Sequence, residues 1–98
     1  MKIIWTSKAK NSFSLILNYL NKEWTEKEKI KFVSETTKIL SLINQNPYMF
    51  IASTKNNTIR KAFINKHISL SYRIKKSKNT LELLLFWSNL QNPKKLDY

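Results

Sequence analysis

The chain contains no cysteine and no glycine, and has only two prolines and one histidine among its 98 residues. Without cysteine there is no disulfide, no thiolate zinc site and no cysteine nucleophile, and a reducing compartment is the natural setting. Without glycine there is no phosphate cradle of the P-loop or Rossmann kind. One imidazole, His67, is too few for a catalytic transition-metal centre, which usually draws on two or more, so no metal and no cofactor are expected. Acids number six, and Glu82 stands alone in the predicted sheet, which argues against paired-carboxylate glycoside cleavage and two-metal hydrolysis. No apolar run approaches the ~18 residues of a membrane span. Met1-Lys-Ile-Ile-Trp5 leads into Thr6-Ser-Lys-Ala-Lys10 rather than an apolar signal core, so a cytoplasmic protein without membrane contact is expected.

Against those six acids stand eighteen Lys and Arg, giving a formal charge of +12. The pI is about 10.1. Such a chain attracts polyanions: nucleic acid, an acidic protein or an anionic surface. The preference for lysine over arginine, with abundant Asn and Ile, matches the residue choice of an AT-rich genome, but leaves the scarcity of acids unexplained. The length is that of one domain, residues 1–98, and a domain this small buries only about two-thirds of its unfolded surface.

Hydrophobic spacing predicts the elements. Lys2–Trp5 suits a short first strand. Thr6 and Ser7 are both candidate N-caps for a helix over about 8–21, with Ala9, Phe13, Ile16, Leu17 and Leu20 on one face. Thr25-Glu-Lys-Glu28 has the capping-box form and starts a second helix near Glu26. Two stripes along it, Ile30/Val33/Thr37/Leu40 and Phe32/Ile39/Ile43, predict a broad buried face. Pro47 disfavours helical geometry at Asn46, so this helix ends by Asn44. Residues 47–57 read as one irregular stretch. From Thr58 the period changes to two. Ile59, Lys61 and Phe63 fall on one side, with Arg60, Ala62 and Ile64 on the other; after a turn at Asn65-Lys66, Ile68, Leu70, Tyr72 and Ile74 alternate with Ser69, Ser71, Arg73 and Lys75. Thr80 to Trp87 is apolar on both sides, Leu81/Leu83/Leu85/Trp87 and Leu84/Phe86, as in a strand inside the sheet. The fold class is therefore α+β in the order β-α-α-β-β-β, a mostly antiparallel sheet with a helical hairpin on one face and the other face open.

Arg60 and Arg73 are the two arginines of a chain that otherwise uses lysine. A guanidinium offers a planar fork for phosphate or carboxylate that lysine cannot reproduce, and each binds phosphate, pairs with a carboxylate inside the fold, or simply lies on the surface. His67, at the hairpin turn, is the one residue of a type whose unperturbed pKa lies near neutrality. Lys55, Lys61 and Lys66 can stabilise a phosphorane-like transition state or steer RNA. Trp5, Trp24 and Trp87 are core or interface residues first and base-stacking residues second. A cleavage reaction built from these groups is a metal-free transesterification of RNA, in which the 2′-hydroxyl attacks and cationic and imidazole side chains manage charge and protons.

The element order, Asn46-Pro47 at the helix end, Ile59-Arg60-Lys61-Ala62, Leu70-x-Tyr72-Arg73-Ile74, and Leu83-Leu84-Leu85-Phe86-Trp87 followed by Gln91-Asn92-Pro93-Lys94 together resemble the RelE/ParE toxins of bacterial type II toxin–antitoxin modules, over nearly the whole chain. The resemblance implies a growth-inhibiting protein of the plasmid-stabilisation type, held silent by an acidic antitoxin. In one branch the activity is ribosome-dependent mRNA cleavage by an endoribonuclease; in the other it is poisoning of DNA gyrase. A relic that only binds its antitoxin or RNA is a third outcome. Arg60 matches the family arginine that binds phosphate in the nuclease branch, and Tyr98 stands where a C-terminal tyrosine is expected, giving Arg60, His67 and Tyr98 as catalytic candidates. Lys55, Lys61, Lys66, Arg73, Lys94 and Lys95 are the phosphate- or nucleic-acid-binding candidates. Relatives show Trp-Asp-x-Arg-Gln after the last strand, where Trp87-Ser88-Asn89-Leu90-Gln91 has Leu90 in place of the arginine.

Overall fold

A computed structural model describes residues 1–89, and the structural statements that follow concern those residues. The elements are β1 (Lys2–Trp5), α1 (Ser7–Glu23), α2 (Glu26–Gln45), a 3₁₀ turn (Pro47–Met49), β2 (Ile51–Ala52), β3 (Ile59–Phe63), β4 (Ile68–Lys75), a second 3₁₀ turn (Lys76–Lys78) and β5 (Thr80–Ser88). The sheet runs β1-β5-β4-β3-β2. Only β1 pairs in parallel, with β5; the other three pairings are antiparallel. This is the α+β order expected from the sequence, with one addition. The stretch read as irregular contains β2, a two-residue edge strand pairing Ile51 with Lys61 and Ala52 with Arg60. It is too short to leave a period in the sequence.

Both helices start as the sequence indicates. Thr6 caps α1, its Oγ1 accepting from the Ala9 N–H at 3.1 Å and donating to the Leu83 carbonyl at 2.7 Å. The cap of the first helix is thus tied to the interior strand β5. Thr25 Oγ1 accepts from the Glu28 N–H at 3.3 Å. The helix ends run one or two residues past expectation, with Trp24 N–H on Leu20 and Asn46 N–H on Leu42 closing the last turns.

The core lies between α1 and the sheet and is continued by one face of α2. Ala9, Ile16, Leu20, Phe32, Ile43, Leu70, Tyr72, Leu81, Leu83 and Phe86 are buried in it. Phe13 joins the layers, its ring 5.2 Å from Phe32 and 5.0 Å from Phe86. Of the two stripes on α2, only that of Phe32, Ile39 and Ile43 is covered, together with Leu40. Ile30 and Val33 are 62% and 41% exposed, and Thr37 is exposed too. α1 lies on the sheet, and α2 lies against α1 and reaches the β3–β4 turn through Glu35, which leaves Ile30 and Val33 at the surface.

The last strand also departs from simple alternation. Ser71 pairs with Leu85 and Tyr72 with Leu83, leaving Leu84 as the extra residue of a β-bulge. The bulge inverts the phase of everything after it: Leu81 and Leu83 point to the core before it, Phe86 after it, and Leu85 and Trp87 turn to the opposite side. Ser12 supports this break, its Oγ accepting from the Phe86 N–H at 2.9 Å and donating to the Ala9 carbonyl at 3.1 Å. Truncating Leu70, fully buried at the middle of the sheet, should cost about 2–5 kcal/mol in a Leu70→Ala variant. Exposed Ile30→Ala should change stability by less than about 0.5 kcal/mol, with urea titration measuring both variants.

Candidate functional site

One face of the sheet is covered by the helices; the other has no described element on it. Register places on this open face Ile51 of β2, Ile59, Lys61 and Phe63 of β3, Ser69, Ser71, Arg73 and Lys75 of β4, Glu82, Leu85 and Trp87 of β5, and Lys2 and Ile4 of β1. Four cations thus face one carboxylate. Glu82 lies 3.8 Å from Arg73 and 3.2 Å from Lys75, a cross-strand ion pair with a third member. Partly exposed pairs of this kind add little to stability. Their effect here is to hold Arg73 and Lys75 side by side.

The candidate residues fall into three places. Lys61 and Arg73 share the open face, Lys61 with its ammonium 5.7 Å from the centre of the Phe63 ring. Arg60 lies on the opposite side of β3, at the β2 edge. Its Nε donates to the Asn57 carbonyl and its Nη1 to the Tyr48 and Phe50 carbonyls, each at 3.0 Å, and its guanidinium lies 5.2 Å from the Tyr48 ring. These bonds fasten the 3₁₀ turn and β2 to the sheet. Arg60 also lines, with Ile51, Lys61 and Ser71, a shallow cleft of about 410 Å³ that opens beside β2. Lys55 is exposed in the β2–β3 loop, its N–H on Ser53 Oγ.

His67 and Lys66 lie at the far end of β3, in the turn to β4. At about 3.4 Å per residue, the four residue steps from the Arg60–Tyr72 row to the turn put ~13 Å between the two ends. The structure therefore does not bring Arg60 and His67 together. Asn65 Oδ1 shapes the turn by accepting from the His67 and Ile68 N–H groups, and its Nδ2 donates to Glu35 of α2 at 3.1 Å. His67 Nδ1 is 3.0 Å from Asn89 Oδ1, and the Asn89 N–H donates to the His67 carbonyl. His67 and Lys66 line a cavity of about 300 Å³ with Trp24, Glu28, Phe32 and Glu35, on the helix side of the sheet. Tyr98, Lys94, Lys95 and Leu90 lie outside the described residues.

Lys75, Phe63 and Trp87 belong to this face without being among the site candidates drawn from the sequence, although alternation already puts Phe63 beside Lys61 and Lys75 beside Arg73. The alternation of Ser69, Ser71, Arg73 and Lys75 was a signal for Lys75. Nothing in the sequence marks the bulge that turns Trp87 to the same side.

No protein-family model matches the chain, and no curated protein matches its sequence. Solved structures do match. A structure of the chromosomal ParDE toxin–antitoxin system of P. aeruginosa aligns at TM-score 0.71 and 16% identity, over 90% of this chain and 95% of that one. The YoeB/ParE toxin from Agrobacterium tumefaciens aligns at 0.64 and 13% identity, over 90% and 98%. The E. coli DinJ–YafQ toxin–antitoxin complex aligns at 0.62 and 10% identity, over 90% and 91%. At these identities the likeness establishes a shared fold: two helices against a mixed five-stranded sheet, the RelE/ParE-type toxin fold.

Tyr72 ties β4 to the Pro47 turn. It is fully buried, and its hydroxyl donates to the Pro47 carbonyl at 2.6 Å. Burial pushes its hydroxyl up to about 12 from 10, with the Arg60 guanidinium opposing the rise. The folded state therefore holds this proton more tightly than the unfolded one. The stabilisation is complete below pH 10 and is lost as pH rises through 12. Urea denaturation from pH 9 to 12 should show the wild type losing on the order of 2 kcal/mol more than Tyr72→Phe, which has no proton to lose. Arg60→Lys, unable to make the three-carbonyl fork, should cost about 1–3 kcal/mol and increase hydrogen exchange in residues 47–52.

Proposed function

We propose that this chain is the toxin of a type II toxin–antitoxin module, cytoplasmic, silenced by an acidic antitoxin and acting through the open face of its sheet on ribosome-bound mRNA. The observation that carries the reading is that face: Lys2, Lys61, Arg73 and Lys75 beside exposed Phe63 and Trp87, uncovered by any described element of a +12 chain. An acidic antitoxin segment laid over it would offset the charge and cover Ile51, Phe63 and Trp87, stabilising a small domain by mass action. The shared fold with structures titled as toxins and toxin–antitoxin complexes supports the same reading.

Cleavage at this face follows metal-free transesterification. A carboxylate takes the 2′-hydroxyl proton, the 2′-oxygen bonds to phosphorus as the bond to the 5′-oxygen breaks, the departing 5′-oxygen takes a proton from water, and neighbouring cations stabilise the charge added at phosphorus on the way. Glu82 is the carboxylate on the face, with Arg73 and Lys75 beside it. His67 is on the helix side and is not part of this set.

The separation of Arg60 from His67, and the commitment of Arg60 to backbone carbonyls, favour a second reading. In it the toxin arrests growth by binding, as the resemblance implies for the gyrase-poisoning branch. Induction in a bacterial host decides between them. The first reading expects growth arrest relieved by the acidic protein encoded next door, and new mRNA 5′ ends in ribosomal register by primer extension. Glu82→Gln should lower cleavage at least ~10²-fold. Arrest with intact messages and trapped gyrase–DNA complexes, indifferent to Glu82→Gln, would establish the second. Induction without arrest would leave a protein that only binds.

A further inference from the structure

Six aromatic rings among the described residues are held by contacts with one another. Trp5, Phe13, Phe32 and Phe86 stack on one another in the core, and Phe50 meets Tyr72 at the β2 edge. Phe63 and Trp87 are not in that network. They are 54% and 42% exposed, and among the described residues neither ring packs on another ring.

Their placement is specific. Phe63 pairs with Ser69, and Ser69 pairs with Trp87 on its other side. The three residues form one row across β3, β4 and β5, all on the open face. Two strand spacings separate the aromatic backbones by about 10 Å. Between them Ser69 is only 4% exposed, so the rings stand over a small, closed floor. The next row along the strands is Lys61, Ser71 and Leu85, and Arg73 lies opposite Glu82 two residues further on, with Lys75 beyond. The four residue steps of β4 from Ser69 to Arg73 span about 13–14 Å. The face therefore runs from an aromatic pair, past a lysine, to a cationic cluster.

Hydrophobic surface of this kind on a strongly basic face is the arrangement that binds unpaired nucleic acid. Cations follow the phosphates, and rings receive bases, whose flat faces stack without regard to sequence. A duplex would contribute only its phosphates, because its bases are already stacked. We propose that Phe63 and Trp87 form a base-stacking platform for single-stranded nucleic acid, with Lys61, Arg73 and Lys75 guiding the phosphates away from it. This deepens the reading of the open face as the working surface and rests on it. The two aromatics position a strand and take no part in proton transfer.

The test uses the full chain and a ten-nucleotide unpaired RNA carrying one 2-aminopurine. Stacking should change the 2-aminopurine fluorescence on binding. Phe63→Leu and Trp87→Leu should each weaken binding about tenfold, within a range of about 5- to 150-fold. The slope of log affinity against log salt should stay unchanged in both. Lys61→Gln should instead reduce that slope by about 0.7. Trp87→Phe, which keeps a ring, should recover most of the loss and guards against a folding defect as the cause. A DNA strand bound as tightly as RNA would assign the platform to single strands of either sugar; a preference for RNA would assign it to message. Wild-type affinity in both leucine variants, unchanged 2-aminopurine emission, or equal affinity for a blunt duplex would overturn the proposal. Growth arrest on induction together with any of those results would sink the platform and leave the toxin reading standing. Ring-dependent binding without growth arrest would do the reverse.

Discussion

The bulge at Leu84 decides what the open face of this sheet is made of. With unbroken alternation, Leu81, Leu83, Leu85 and Trp87 would share one side and the core would receive Trp87 instead of Phe86. The extra residue inverts the order partway along β5. Phe86 then joins Trp5 and Phe13 in the core, with centroid distances of 5.4 and 5.0 Å, while Leu85 and Trp87 go outward. A bulge interrupts the ladder and leaves a backbone amide to be satisfied. Ser12 of α1 accepts from the Phe86 N–H just past the break. The helix that lies on the sheet thus also stabilises its irregularity, and Thr6 anchors the same helix to Leu83 just before the break.

The two sides of the sheet have divided the work. The helix side is occupied by packing, by the hydroxyl of Tyr72 on the Pro47 turn, and by Arg60, which holds three carbonyls of residues 48–57 and so makes an edge strand out of two residues. A lysine could supply the charge but not the geometry of that fork. The open side carries serines on its middle strand, rings and leucine to either side of them, and cations toward one end. Short serines on β4 keep this surface low between its neighbours. That shape suits an extended partner lying along the strands, whether a nucleic-acid strand or an acidic antitoxin segment, and both would compete for the same cations.

Much of this was legible in the sequence because the signals were local. The Thr6 and Thr25 caps, the helical spacing of Ile16, Leu20, Phe32 and Ile43, the period of two in β4 and the interior character of β5 each reside in a few neighbouring residues, and all appear in the fold. What was not legible depends on tertiary partners. Ile30 and Val33 have the spacing of a buried stripe, but whether a stripe is buried depends on how many elements reach the helix. β2 exists because Lys61 and Arg60 offer it a strand to pair with. The bulge requires Ser12, seventy-four positions away from Phe86. The site was harder still. Arg60 drew attention as one of two arginines, and its scarcity does mark a special position, but its donors at Nε and Nη1 go to backbone carbonyls. His67 drew attention as the sole imidazole, and it lies beside Glu35 and Lys66 on the helix side.

The central claim is that the uncovered, basic and aromatic face of the sheet is where this protein meets its polyanionic partner. Lysine footprinting of the full chain with and without single-stranded RNA tests it most directly, since lysines are distributed over both sides and each reports its own accessibility. The account predicts protection of Lys61 and Lys75 from acylation, with Lys8, Lys27 and Lys31 on the helices as reactive as in the free protein. Protection of the helical lysines, with Lys61 and Lys75 unchanged, would contradict it.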